Sequence, residues 1–461
     1  MRHRGRLLDV LDRAENGPLI DEKEFEGRLV AQTAKRLIGK HGLKCNAETV
    51  IPADDAQADR LFEAGLEFAV EVGMLCTNTL RRIVWTRQEY EESLRYAPHE
   101  AILGAGADAA FVQSRMPEAS TRLMVVGGPF GVGVPENLFV PLMLSYARES
   151  LIDVIDNPTL ERVYGRPGKA ASPWEVLGGW REAELSMQVV AQAGRPGMCI
   201  AGVELSPTAL GEISASSWGG FRPTDLHHVA GVSEFKTNYE SLSKIAHVTR
   251  IGGAIYAFMA SIYGGYMGGA EGVALGLTAA GIVLNQNYMP TVMSLSSVHP
   301  FLQCTTTREL LWAFSMASQA LSRNTRLIFS SLVRPSAGPG TKGVLYENAA
   351  FGVMGTVSGQ SFIQSSMTAS GTHARHASGL DARMSAEASL AALGMSREEA
   401  NQLVLRILEV YEPWVEMRDV GQPFEEVYDL LTISPTPSWQ ATYDEVKEHL
   451  IRLGLALPAA C

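Results

Sequence analysis

The run 254-AIYAFMASI-262, 270-AEGVALGLTAAGIVLN-285 and 291-TVMSLSS-297 decides the fold class of this chain. A short apolar segment of strand length precedes a long apolar segment of helix length, and a second short segment follows. Strands connected through a helix pair in parallel, because the crossover returns the chain in the same direction. We interpret the long segment as a buried helix and not as a membrane span, since its flanks continue the alternation of strands and helices.

The same alternation extends outward in both directions, beginning at about residue 122. The predicted strands cover residues 123–126, 151–155, 198–203, 229–235, 254–262, 291–297, 326–333 and 362–367. The predicted helices cover residues 135–149, 173–193, 209–216, 239–250, 270–285, 308–323, 344–358 and 381–393. Eight strand–helix units are the number that closes a (β/α)₈ TIM barrel, and a doubly wound open sheet is the alternative.

The predicted barrel leaves a segment at each end of the chain. Residues 1–120 have helical patterning and predict a helical extension packed on the barrel, with a capping box at 86-TRQE-89. Residues 121–395 form the barrel. Residues 396–461 predict C-terminal helices at 397–415, 424–431 and 443–453 that belong to the same domain.

Composition excludes several classes of protein. Of 461 residues, 46% are hydrophobic and 19% charged, which is typical of a globular chain with a sizeable core. The net charge of −11 argues against nucleic-acid binding, which needs a basic face. We expect a cytoplasmic protein with no membrane contact, because no apolar segment follows the basic N-terminus and the five cysteines are scattered as in reduced proteins.

A barrel of this kind carries its active site at the carboxyl ends of the strands. Two acidic residues, Glu204 and Glu234, lie at predicted strand ends and are candidates for catalytic charge. Trp218, Tyr263 and Tyr266 are candidates for an aromatic wall that binds a quaternary nitrogen by cation–π attraction. The remaining candidates at strand ends are polar: His299, Arg334 and Gln364.

Histidine spacing raises the question of a metal. His227 and His228 precede the predicted fourth strand, which places them at the opposite end of the barrel from His373 and His376. We therefore predict no metal, with a zinc site formed by His299, Cys304 and His373 or His376 as the alternative. The glycine-rich segments lack the context of a dinucleotide site, and no phosphate-binding loop is present.

The chain resembles a known family through short segments whose order and spacing run over more than 300 residues. These segments are 127-GGP-129, 194-GRPGM-198, 213-ISA-215, 219-GG-220, 224-TD-225, 264-GGY-266, 268-GG-269, 307-TRE-309, 337-AGP-339, 382-ARM-384 and 453-LGL-455. The family is that of the monomethylamine:corrinoid methyltransferases of methylotrophic methanogens. The resemblance implies a (β/α)₈ barrel, a homo-oligomer, acidic site residues at Glu204 and Glu234, and methyl transfer to the cobalt of a separate corrinoid protein. It implies no cofactor bound tightly by this chain.

The departures from the family bear on the substrate. The resemblance places Leu210 where the family has pyrrolysine, whose imine captures the amine, and places Leu332 and Val333 or Arg334 where it has Gln and Tyr. Leucine is not an electrophile, so we expect a pyrrolysine-independent enzyme. A quaternary amine leaves as a neutral amine and needs no capture, and Arg334 suits the carboxylate of a betaine-like donor.

Two alternatives remain open. One is a zinc-dependent enzyme, or one that uses a halomethane, methyl ether or thioether. The other is a non-catalytic barrel that binds a ligand or a corrinoid protein.

Overall fold

The structure is a computed structural model that describes residues 2–204, 206–364 and 366–457. Eight strands form one parallel sheet within these residues, and we number them along the chain. They are β1 Met124–Gly127, β2 Val154–Asp156, β3 Cys199–Gly202, β4 Leu226–Ala230, β5 Ala254–Ala260, β6 Val292–Ser296, β7 Phe329–Ser331 and β8 Phe362–Ile363.

The sheet closes on itself. Each strand from β1 to β6 pairs in parallel with the next, and β8 pairs with β1 through Phe362 and Met124. The seam between β7 and β8 is completed by a parallel bridge between Val333 and Ser366 and by a backbone hydrogen bond from Ser361 to Phe329 of 2.8 Å. The predicted (β/α)₈ barrel is therefore confirmed, and the open doubly wound sheet is wrong.

A helix follows each strand, as predicted. The eight are α1 Glu136–Ala147, α2 Pro173–Gln192, α3 Ala209–Ala215, α4 Tyr239–Ile251, α5 Ala270–Tyr288, α6 Arg308–Asn324, α7 Lys342–Val357 and α8 Gly379–Ala391. Most of them begin where a short polar side chain accepts a hydrogen bond from a free backbone N–H of the first turn, including Ser172, Thr208, Asn238, Thr307 and Thr341.

Helix α5 is the apolar segment quoted at the outset, and it is buried along almost its whole length. The helix Asp55–Val72 covers it and also packs against α6. Their approach is close at Gly65, where a Cβ atom would lie 2.7 Å from the side chain of Thr278. No helix in the described part of the chain has the length and apolarity needed to cross a membrane.

The predicted bounds of the fourth strand are wrong. Strand β4 spans Leu226–Ala230, whereas the apolar pattern predicted residues 229–235. The error arose because two adjacent histidines interrupt the apolar run, although both are buried in the strand. His227 and His228 therefore do not lie at the far end of the barrel, and Glu234 lies beyond the strand in the loop that follows it.

The described part of the segment before the barrel contains seven helical stretches: Arg2–Asn16, Glu22–Glu24, Phe25–Val30, Ala31–His41, Asp55–Val72, Arg87–Arg95 and the single turn Gly106–Asp108. The capping box is present, with Thr86 and Glu89 each accepting a hydrogen bond from the other's backbone. The segment is not wholly helical, because Glu100–Leu103 pairs with Ala110–Gln113 and Met74–Cys76 pairs with Arg81–Ile83.

After the barrel come the helices Arg397–Val415, Phe424–Val427 and Pro437–Leu453. The second ends earlier than predicted, because Tyr428–Asp429 turns into a pair of short strands with Ser434–Pro435. Buried apolar side chains from both terminal segments and the barrel form one continuous cluster that extends from Leu7 to Leu457.

Candidate active site in the barrel mouth

A cavity of about 310 Å³ lies at the carboxyl ends of the strands. Residues within or just after β3, β4, β5, β6 and β7 line it, which is where barrels of this architecture carry their active sites. The side chains on which its chemistry depends are Phe130, Glu204, His228, Lys244, Phe258, Leu332 and Arg334.

Three neighbouring strands bring Asp156, Glu204 and His228 together at the inner end of this cavity. Asp156 ends β2, Glu204 follows β3, and His228 lies in β4. His228 Nε2 lies 3.5 Å from Asp156 Oδ1, and His228 Nδ1 contacts Glu204 Oε1. Burial raises the pKa of Glu204 to about 8, against the opposing effect of Lys244, and burial lowers the pKa of His228 to about 4.

The two histidines of β4 point to opposite faces of the strand, as successive side chains do. His227 points outward, where its Nδ1 lies 2.7 Å from Glu212 Oε1 and its Nε2 lies 3.0 Å from the backbone oxygen of Arg222. Burial is the largest single effect and opposes a charged imidazole there, but the hydrogen bond and charge of Glu212, with the backbone oxygen of Arg222 and the charge of Asp225, together raise the pKa of His227. His228 points inward, into the barrel.

Aromatic rings surround His228 on the inside of the barrel. The ring centroids of Phe130, Tyr256 and Phe258 lie 5.5, 5.1 and 5.0 Å from that of the imidazole. Phe130 and Phe258 also stack on each other at 4.9 Å. Because both line the cavity, they are the aromatic wall of this site.

Arg334 contributes a positive charge that has no ionic partner in the described part of the chain. Its guanidinium donates to the backbone oxygen of Ser370 and contacts the sulfur of Met367, both at 3.3 Å, and its Nε makes no hydrogen bond. Burial lowers the pKa of Arg334. A second cationic side chain, Lys244 of α4, donates to the backbone oxygen of Ser206 at 2.5 Å.

Glu234 has a different setting from Glu204. Its carboxylate accepts hydrogen bonds from Ser261 Oγ at 3.0 Å and from the backbone N–H of Ile262 at 2.7 Å. Burial raises its pKa, although these hydrogen bonds oppose the shift. The carboxylate therefore joins the loop after β4 to the end of β5, while its neighbour Ser233 lines the cavity.

None of the three residues predicted to form the aromatic wall is among those that line this cavity. Trp218 is fully exposed and lines a separate groove with Trp180. Tyr266 is exposed and donates to Glu26 at 3.0 Å, and Tyr263 stacks on the ring of His299 at 5.0 Å.

Of the other residues predicted for the site, one lines the cavity and the others lie near it. Leu332 lines the cavity beside Arg334. Gln364 is buried and accepts a hydrogen bond from Ser294, and its amide nitrogen has no hydrogen-bond partner in the described structure. Leu210 lies in the first turn of α3 at the same end of the barrel and is 41% exposed.

The alternative zinc site is not assembled. His299 accepts a hydrogen bond from the backbone of Leu302, Cys304 is buried, and the rings of His373 and His376 pack against each other at 5.5 Å. Across residues 2–204, 206–364 and 366–457, the one group of three side chains spaced to hold a metal ion is the cluster at the inner end of the cavity.

A closed barrel with a small, mostly apolar cavity that holds a few charged groups at its carboxyl end defines a barrel enzyme acting on a small molecule. The family model for the monomethylamine methyltransferase MtmB matches residues 6–455, so the chain belongs to that family and is a methyltransferase.

Individual relatives agree with the family match. The monomethylamine methyltransferase MtmB2 of Methanosarcina acetivorans is 33% identical over 453 residues, covering 97% of each chain. MtmB1 of Methanosarcina barkeri is 32% identical with the same coverage. The crystal structure of the M. barkeri enzyme superposes with a TM-score of 0.95 at 32% identity, covering 98% of each chain, as does that of a hydroxylamine complex of MtmB.

Proposed function

We propose that this chain transfers a methyl group from a betaine-like quaternary amine to Co(I) of a separate corrinoid protein, without pyrrolysine. The observation that carries the proposal is the guanidinium of Arg334, which lines the cavity without an ionic partner in the described structure. A buried positive charge is costly unless it is paired, and a guanidinium binds a carboxylate through two parallel hydrogen bonds. The carboxylate of the donor would supply that partner.

The same cavity suits the other end of such a donor. Phe130 and Phe258 line the cavity as a stacked pair of rings, and aromatic rings attract a quaternary nitrogen electrostatically. Phe130 and Phe258 would hold the methylated nitrogen while Arg334 holds the carboxylate, and the two contacts together orient the methyl group for attack along the axis of the C–N bond.

The chemistry of a quaternary donor fits the residue at position 210. The corrinoid supplies Co(I) as the nucleophile, and the electron pair of the broken C–N bond stays on nitrogen, which departs as a neutral amine. No electrophile or acid is required, so Leu210 is compatible with turnover. The cavity, at about 310 Å³, has room for a small donor and not for a corrin ring, which supports a cofactor carried by a partner protein.

A second candidate is a metal-dependent enzyme that uses a methyl ether or thioether. The cluster of Asp156, Glu204 and His228 favours it, because a bound cation stabilises an alkoxide or thiolate leaving group.

A donor screen tests the proposal. The protein is mixed with the corrinoid protein encoded nearest to it, reduced to Co(I), and the loss of Co(I) absorbance is followed with each donor. We expect glycine betaine or a related carboxylated quaternary amine to react, and monomethylamine and tetramethylammonium to react poorly. Reaction with monomethylamine alone would contradict the proposal, dimethyl sulfide as the best donor would select the second candidate, and no reaction with any donor would indicate a binding protein.

A further inference from the structure

The inner end of the cavity contains a group of side chains that the proposed methyl transfer does not use. Asp156, Glu204 and His228 come from the ends of three consecutive strands, and each offers one nitrogen or oxygen atom. These three atoms all lie within 4.8 Å of one another.

The imidazole of His228 is the least satisfied member of this group. The side chain is 7% exposed, and neither of its ring nitrogens makes a hydrogen bond in the described structure. Each nitrogen instead faces a carboxylate oxygen, of Glu204 on one side and of Asp156 on the other. A neutral imidazole carries one N–H, so it can donate to only one of these two carboxyl groups, and its other nitrogen presents a lone pair to the second.

We propose that Asp156, Glu204 and His228 bind a divalent first-row transition-metal ion, through one carboxylate oxygen each and one imidazole nitrogen. One imidazole and two carboxylates are ligands that zinc, iron and manganese accept. Zinc binds such atoms at about 2.0–2.2 Å, so the carboxylate that faces the other ring nitrogen must move toward the nitrogen that holds the ion. A dication also neutralises two buried carboxylates, which removes the cost of holding them together away from water.

Contacts around the cluster hold its side chains in fixed orientations. The rings of Phe130, Tyr256 and Phe258 fix the plane of the imidazole on its apolar sides. The backbone N–H of Glu204 donates to Glu182 at 2.7 Å, which holds the loop that carries this ligand against α2. Such supporting contacts orient ligands and tune the affinity of a site.

The site has three protein ligands and an open side. Glu204 and His228 line the cavity, so a further coordination position of the ion faces it. Three protein ligands with one open position are the arrangement of catalytic zinc sites, in which water or substrate binds last. Metal binding at these three residues does not depend on the proposed function.

The test measures metal binding and not activity. The full-length protein is stripped with a chelator and titrated with Zn²⁺ in a calorimeter, and its metal content is then measured by mass spectrometry. We expect one ion per chain, and we expect His228→Gln and Glu204→Gln to weaken binding by about 100-fold or more. His299→Gln is the matched control, because His299 lies at the same end of the barrel but outside the cluster. We expect it to bind Zn²⁺ as the unaltered protein does.

A wild-type protein that binds no Zn²⁺ at micromolar concentration overturns the proposal, as does binding that both cluster variants leave unchanged. Loss in the His299 variant together with normal binding in the cluster variants also overturns it. If His228→Gln does not fold, as judged by circular dichroism, Co²⁺ replaces Zn²⁺ as the probe. Visible absorption bands that change in Glu204→Gln support the site, and the spectrum of free aqueous Co²⁺ refutes it. None of these readouts involves a methyl donor or a corrinoid protein, so the proposed function can fail separately.

Discussion

Replacing Arg334 with glutamine should separate donors that carry a carboxylate from donors that do not. The guanidinium lines the cavity, and no carboxylate of the described structure pairs with it. Glutamine keeps a polar side chain of similar reach but removes the charge and the paired N–H groups. Its effect should therefore depend on whether the donor is a zwitterion.

The expected loss of binding in Arg334→Gln follows from the burial of the ion pair that Arg334 would form with the carboxylate of the donor. Removing one partner of a buried, hydrogen-bonded charge pair costs about 2–5 kcal/mol, most of it because the other charge stays desolvated and unpaired. A cost in this range corresponds to a fall of roughly 30- to 4,000-fold in the binding of a carboxylated donor, at about 1.4 kcal/mol for each factor of ten. A donor that lacks the carboxylate should lose less than about threefold.

The assay compares glycine betaine with choline, which has a hydroxyl in place of the carboxylate. Initial rates of Co(I) consumption give kcat and KM for both donors in the wild-type protein and in Arg334→Gln. The expected result is a large rise in KM for glycine betaine alone. Because Arg334 has no ionic partner to lose, the melting temperature of the free variant should match or exceed that of the wild type.

Equal losses for the two donors would refute the reasoning, because they would show that Arg334 does not contact a carboxylate. A fall of several degrees in melting temperature would refute it in another way, since the arginine would then be structural. Arg334→Lys supplies a further check. It keeps the charge but not the planar pair of donors, so its KM for glycine betaine should lie between those of the wild type and the glutamine variant.

Three further predictions concern stability. Glu387 and Lys447 form a buried ion pair at 2.9 Å. Glu387→Ala should lower the free energy of unfolding in urea by about 3–5 kcal/mol, because it leaves the buried ammonium of Lys447 without a partner. A loss below about 1 kcal/mol would contradict this. Burial raises the pKa of Asp381 to about 8, so the folded chain keeps a proton that the unfolded chain releases. The contribution of this group to stability should therefore decline as the pH rises from about 4 to about 8, and unfolding curves of Asp381→Asn should show a smaller decline. At Gly128 a Cβ atom would lie 1.9 Å from the backbone oxygen at the end of β2, so Gly128→Ala should lower the melting temperature sharply, and an unchanged value would show that the two strands can separate there.

The barrel could be predicted from sequence because its strands are short apolar runs between longer helical ones. The predicted bounds are wrong where polar residues interrupt the apolar run of a strand. In 226-LHHVA-230 two adjacent imidazoles hide a strand, because one is satisfied by Glu212 outside the barrel and the other lies among aromatic rings inside it. Successive side chains of a strand point to opposite faces, and in this barrel both faces are buried. A hydropathy pattern treats the two histidines as polar and therefore misses the strand.

The candidate site was predictable in part for a related reason. The rule that active sites lie at strand ends identified Glu204 and Arg334, and the resemblance to the family identified Leu332; all three line the cavity. It missed Asp156 and His228, because their approach to Glu204 depends on how neighbouring strands are staggered across the sheet, and local sequence does not contain that information. It also assigned the aromatic wall to Trp218, whose neighbours leave it in solvent.

The charges in the cavity bear on which donor it accepts. A monomethylammonium ion presents a positive charge and N–H donors, and the cavity already presents the same features at Arg334 and Lys244. Glu204 also lines the cavity, but burial raises its pKa to about 8 and so reduces the negative charge it offers an ammonium ion. Like charges in a partly buried site repel, and N–H donors do not satisfy one another. In a betaine-like donor, the carboxylate at one end attracts Arg334, and the quaternary nitrogen at the other end attracts the aromatic rings. The relatives are named for monomethylamine. We expect this chain to prefer a carboxylated donor instead, provided that Arg334 has no ionic partner before the donor binds.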